Sequence, residues 1–142
     1  MELFSTLPSE IINHIISYTY RVQDNALLQD IKSFYISKKI LLISYYQRLV
    51  VDNYLYDGEH LLWLLNDMYY FSNSVSPAIC GYMPPFYNLF HRHCLLRTRL
   101  DVDVFVGVLE KKNYSSQINV FLGLFTPMER DAFIARVLSR PF

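Results

Sequence analysis

The stretch "DVDVFVGVL", Asp101 to Leu109, decides whether this chain is wholly helical or contains strands. A short apolar run of this kind can be a strand, but its surroundings argue for a helix. Thr98 stands just before it, and Val102, Phe105, Val106 and Leu109 recur at helical spacing to make one inner face. Asp101 and Asp103 fall at the positive end of the helix dipole, and Lys111 and Lys112 at the negative end.

Working outward, the same logic holds on both sides. Downstream, Ser115 or Ser116 is expected to start a helix through Ile118, Phe121, Leu122 and Phe125. Thr126-Pro127-Met128-Glu129 is a capping box with proline at the first helical position, and Phe133, Ile134, Val137 and Leu138 form the stripe behind it. Upstream, Pro84 and Pro85 open a helix with Phe86, Leu89, Phe90 and Cys94 facing inward, after a long loop from Ser72 to Met83. Asp57-Gly58 is a turn signal before Leu61, Leu62, Leu64, Leu65, Met68 and Tyr69 at helical spacing.

Asp24 or Asn25 can cap a helix in which Leu27, Leu28, Ile31, Phe34 and Tyr35 share a face. The apolar run Ile40 to Val50 continues it with little break, its length favouring helix over strand. A first helix runs from Pro8 to Tyr18. The expectation is an all-α chain, a single irregular bundle of about seven short helices. Residues 1–55 form an N-terminal helical segment, with 56–142 packed against it as one domain.

Composition narrows the function. The chain has 142 residues, of which 52% are hydrophobic and 18% charged, enough to bury a core and unlike a disordered sequence. Thirteen basic and 13 acidic residues cancel, which argues against nucleic acid or an anionic membrane as partner. The uncharged stretch Met68 to Phe90 is broken by serines, prolines and Gly81, so no spanning helix is expected. Met1 to Thr6 carries an acid and no basic residue, unlike a secretion signal, and two cysteines then read as reduced thiols in a cytosolic or nuclear setting.

Chemistry is sparse. Cys80, His91, His93 and Cys94 are the tightest group of zinc-type ligands, but without a Cys-x-x-Cys or His-x-x-x-His hook no metal site is expected. Cys94, beside Phe90, Leu95 and Leu96, reads as a small buried hydrophobe. Tyr45-Tyr46 and Tyr69-Tyr70 read as core or half-buried packing rather than base-stacking platforms. Four scattered glycines make no phosphate loop, the acidic pairs belong to helix starts and turns, and neither a catalytic residue nor a cofactor is assigned.

Attention therefore falls on "LPSEIINHIISY", Leu7 to Tyr18, where proline opens a helix and Ile11, Ile12, Ile15 and Ile16 line one face. This stretch resembles the opening of the F-box, which begins Leu-Pro-x-Glu, two apolar positions and then an Ile-Leu/Phe-Ser-Tyr-like segment. Leu27-Leu28 resembles its continuation and Ser37-Lys38-Lys39 its later basic pair. The resemblance covers about the first third of the chain. It implies a non-enzymatic helical module that docks on the Skp-type adaptor of cullin-RING ubiquitin ligases, with Leu7, Pro8, Ile11, Ile12 and Ile15 at the interface.

The pattern of the whole chain, including "WLLNDMYYFSN", "FYNLF" and "SQINVFLGLFTPMER", is similar to short F-box-like proteins of large nucleocytoplasmic DNA viruses. Twelve Tyr and 10 Phe beside 4 Gly fit the AT-rich codon usage of such a source. The resemblance implies a host cytoplasmic or nuclear location. The alternative is a structural virion component, a minor capsid or internal protein that uses the same helices to contact other capsid proteins.

Overall fold

The run Asp101 to Leu109 is helical because its first turn is capped from both directions. The Thr98 hydroxyl accepts from the Asp101 amide at 3.1 Å, and the Asp101 carboxylate accepts from the Thr98 amide at 2.8 Å. Those hydrogen bonds, led by the Thr98 amide, hold the Asp101 carboxyl below its usual range. Val102, Val106 and Leu109 are buried and Phe105 is half-buried, the face that the spacing predicts.

The computed structural model describes residues 8–19, 24–51, 56 and 58–140. Among these, seven α-helices form and no strand does: α1 Ser9–Thr19, α2 Asn25–Tyr45, α3 Glu59–Ser72, α4 Pro84–Phe90, α5 Arg99–Leu109, α6 Tyr114–Leu124 and α7 Pro127–Ser139. The expected all-α bundle is the observed architecture. A π-helical segment, Tyr46–Val51, continues α2, and a 3-10 turn, Ala78–Cys80, lies between α3 and α4. The expected second and third apolar runs are thus one long helix. Asp24 caps it, its carboxylate accepting from the Ala26 amide at 2.9 Å. Two sequence expectations, Leu7 as an interface residue and Asp57 as part of a turn, lie outside the described residues.

The core forms where α2 packs on α3, α6 and α7, and α3 on α6. Leu41 and Tyr45 of α2 meet Leu64 and Met68 of α3, Phe86 and Phe90 of α4, Ile118 and Phe121 of α6 and Phe133 of α7 in one buried cluster. Phe121 is central to it, with ring centroids 4.7 Å from Tyr69 and 5.6 Å from Phe90, both edge-on. The Tyr45 hydroxyl donates to Asp67, which also accepts from Arg140 at 3.2 Å. Burial, reinforced by that acceptor, pushes the Tyr45 phenol far above its usual range, so it remains a donor.

Arg130 is buried to 1% exposure and ties three helices together. Its Nε donates to the Leu122 carbonyl at 2.8 Å, satisfying an end-of-helix acceptor of α6, while its guanidinium donates to the Asp30 carboxylate of α2 at 2.6 Å. The capping box of α7 is formed: the Thr126 hydroxyl accepts from the Glu129 amide at 3.3 Å and the Glu129 carboxylate accepts from the Thr126 amide at 2.8 Å. Arg92 adds a two-pronged pair to Glu129 at 2.5 and 2.8 Å. That pairing, first of all, draws the Glu129 carboxyl down to about 2.

Three sequence expectations need correction. Helix α4 stops at Phe90, and the following turn, in which His91 Nδ1 meets the Leu96 carbonyl at 2.9 Å, carries Cys94 out to solvent instead of inward. Helix α6 starts at Tyr114, one residue before Ser115, because the Asn113 side chain is the cap, accepting from the Ser116 amide at 2.8 Å. Of the α7 stripe, Phe133 and Val137 are buried and Leu138 is exposed.

Candidate partner-docking surface

Helix α1 begins directly after Pro8, whose carbonyl accepts from the Ile11 and Ile12 amides at 3.0 and 3.1 Å. Its fixed backbone angle favours the helical start, and Glu10 is the only charge on the helix. The apolar face built by the isoleucines is where the structure is most informative. Ile11 is 46% exposed, Ile15 39% and Ile16 43%, with Ile12 half-buried. Pro8 is exposed beside them, and among the described residues α1 contributes none to the buried core and is not one of the principal packing pairs.

Thus Ile11, Ile12 and Ile15 lie on one short helix that Pro8 immediately precedes, with Ile16 beside them. At the helix end the His14 and Tyr18 rings meet edge-on at 5.0 Å, and Tyr18 is itself exposed. With no charged side chain between Ile11 and Thr19, the face offers dispersion and desolvation rather than ion pairing.

A second exposed area lies on α2 and escaped sequence reading. Leu27, Ile31, Phe34, Leu41 and Tyr45 fall on one helical stripe, yet only its C-terminal end is covered. Leu41 and Tyr45 are buried, while Leu27 and Ile31 are more than half exposed. Ile36, Ile40 and Ile43, on the outer side, are exposed as well. Periodicity could not have revealed this, because a stripe reads the same whether or not the bundle extends far enough to cover it.

Other chemistry recedes. Cys80 and Cys94 are both exposed, and among the described residues no group of three His, Cys, Asp or Glu side chains could hold a metal ion. No helix among them is long and apolar enough to cross a membrane. No protein-family model, no curated protein and no solved structure matches the chain.

Proposed function

We propose that this chain is a non-enzymatic protein-protein interaction module that docks through α1, and that its partner is the Skp-type adaptor of a cullin-RING ubiquitin ligase. The observation that supports docking is the exposure of Ile11, Ile15 and Ile16 on a helix outside the core. Isoleucines used only for internal packing would be covered, and an apolar helix face left in water is a feature of interaction sites. A few such anchors, each worth about 1.5–3 kcal/mol on full burial, can dominate an interface. The identity of the partner rests on the resemblance of Leu7 to Tyr18 to the F-box opening.

The test is binding of the purified full chain to a purified Skp-type adaptor, measured by calorimetry. Micromolar or tighter affinity is expected, lost in Ile11→Asp/Ile15→Asp and in Leu7→Ala/Pro8→Ala, with helical circular dichroism unchanged. Absence of binding by the wild-type chain at micromolar concentration rejects the adaptor as partner.

A further inference from the structure

A cleft of about 740 Å³ lies between α3, the segment Pro77 to Tyr82, the α5–α6 turn and Arg140. That volume is in the range of ligand-binding clefts. Its floor and rim are held in place by buried amides. Asn73, fully buried, donates to the Ser76 and Gly81 carbonyls at 3.1 and 3.0 Å and accepts from the Met83 amide at 2.6 Å, fixing the loop wall. Gln117, also buried, donates to the Lys112 carbonyl at 2.8 Å and so sets the turn that carries Glu110.

Two aromatic-carboxylate pairs line this cleft, and they differ in one respect. At the first, the chain's own Arg140 pairs with Asp67 at 3.2 Å and lies over the Tyr70 ring at 5.9 Å. At the second, Tyr82 and Glu110, the carboxylate receives the Tyr82 hydroxyl at 3.3 Å and, among the described residues, no cation. The Tyr69 hydroxyl, close enough to feel the Glu110 charge, is buried without a hydrogen-bond partner among the described residues. Burial and Glu110 push the Tyr82 phenol up to about 12, so it stays protonated. Counting Asp67, Glu110 and Arg140, the cleft carries one excess negative charge among the charged residues that line it.

We infer that the Tyr69, Tyr82 and Glu110 end of this cleft binds a basic side chain of a partner peptide, as the Tyr70 and Asp67 end already holds Arg140. The cation pairs with the exposed Glu110 carboxylate, and its aliphatic stem lies along the aromatic walls of Tyr69 and Tyr82. The cleft is several side chains in volume, so apolar residues flanking the basic one fit beside it. This site is built from α3 to Arg140, and it stands whether or not α1 docks on an adaptor.

Trp63 is the single tryptophan, half exposed, and lines the cleft, so its fluorescence reports directly on occupancy. The experiment titrates the full chain with a capped pentapeptide carrying lysine between two leucines, and with its norleucine analogue, by fluorescence and calorimetry. The lysine peptide is expected to bind about tenfold more tightly, the effect of one charge-assisted hydrogen bond. Glu110→Gln, an exposed change, is expected to abolish that preference. Equal affinity for the two peptides, a preference that survives Glu110→Gln, or no saturable binding of either at millimolar concentration overturns the inference.

Discussion

Helices α1 and α7 carry the same apolar spacing and end in opposite situations. Ile11, Ile12, Ile15 and Ile16 stand at i, i+1, i+4 and i+5, and so do Phe133, Ile134, Val137 and Leu138. Both helices are introduced by a proline. Yet Phe133 and Val137 are buried, while Ile11, Ile15 and Ile16 are exposed. The difference lies in the neighbours. Helix α7 lies against α2 and is bound to it through Arg130 and Asp30, whereas α1 stands outside the principal packing. An amphipathic pattern specifies that a helix has an apolar face, and the rest of the fold settles whether that face is core or surface.

The sharpest way to break the comparison is to truncate both stripes. Phe133→Ala is expected to destabilise by about 3–5 kcal/mol, because the ring is buried and packs on Phe71 with centroids 5.1 Å apart. Denaturant unfolding measures it, and a loss under about 1 kcal/mol would mean that α7 is not core. Arg130→Ala should cost about 2–3 kcal/mol, leaving the Leu122 carbonyl without its buried donor. The cost stays below that of a fully buried ion pair because Asp30 is partly in water. Thr126→Ala, which removes one half of the α7 capping box, should cost about 1 kcal/mol.

Acid should act on the same helix start. The Glu129 carboxyl is drawn from about 4.5 in an ordinary environment to about 2 in the fold, so it binds fewer protons folded than unfolded. Its contribution is complete above about pH 4.5 and is lost as pH falls toward 2. Because the Arg92 pair is partly exposed, that contribution should be under about 1 kcal/mol. Stability measured from pH 5 down to 2.5 should therefore fall less steeply in Glu129→Gln than in the wild type. An identical slope would show that Arg92 and Glu129 are not paired in solution.

The smallest expected stability effect carries the functional contrast. Replacing Ile11, Ile15 and Ile16 by Ser should change stability by no more than about 0.5 kcal/mol each, the range of surface substitutions. A combined loss above about 2 kcal/mol would place the α1 face in the core and remove the structural support for docking.

The features legible in the sequence are those whose causes are local. Thr98 with Asp101 and Thr126 with Glu129 satisfy amides within their own first turns, so the residues that cap α5 and α7 could be read directly. The start of α6 is ambiguous in the sequence because Asn113, Ser115 and Ser116 are all competent caps, and the fold uses Asn113. Cys94 is exposed, contrary to its apolar sequence neighbours, because the helix before it stops at Phe90, where the chain turns toward Leu96.

The cleft was not legible at all. Tyr69, Tyr82, Glu110 and Arg140 are spread over half the chain, and no local rule brings them together. Asn73, which shapes one wall, reads in the sequence as one polar residue among several in a loop.

From residue spacing and end-capping chemistry alone, the chain is helical throughout its regular parts, with apolar stripes at Ile11 to Ile16, Leu27 to Tyr45 and Phe133 to Leu138. Those follow from a 3.6-residue period and from hydrogen bonds within one turn. Which stripe is covered depends on the lengths and crossings of α2, α3, α6 and α7, and hence on contacts between residues as distant as Asp30 and Arg130. Folding buries the end of the α2 stripe that these helices reach and leaves Ile11, Ile15 and Ile16 of α1 exposed, because exposure depends on neighbours that residue spacing does not specify.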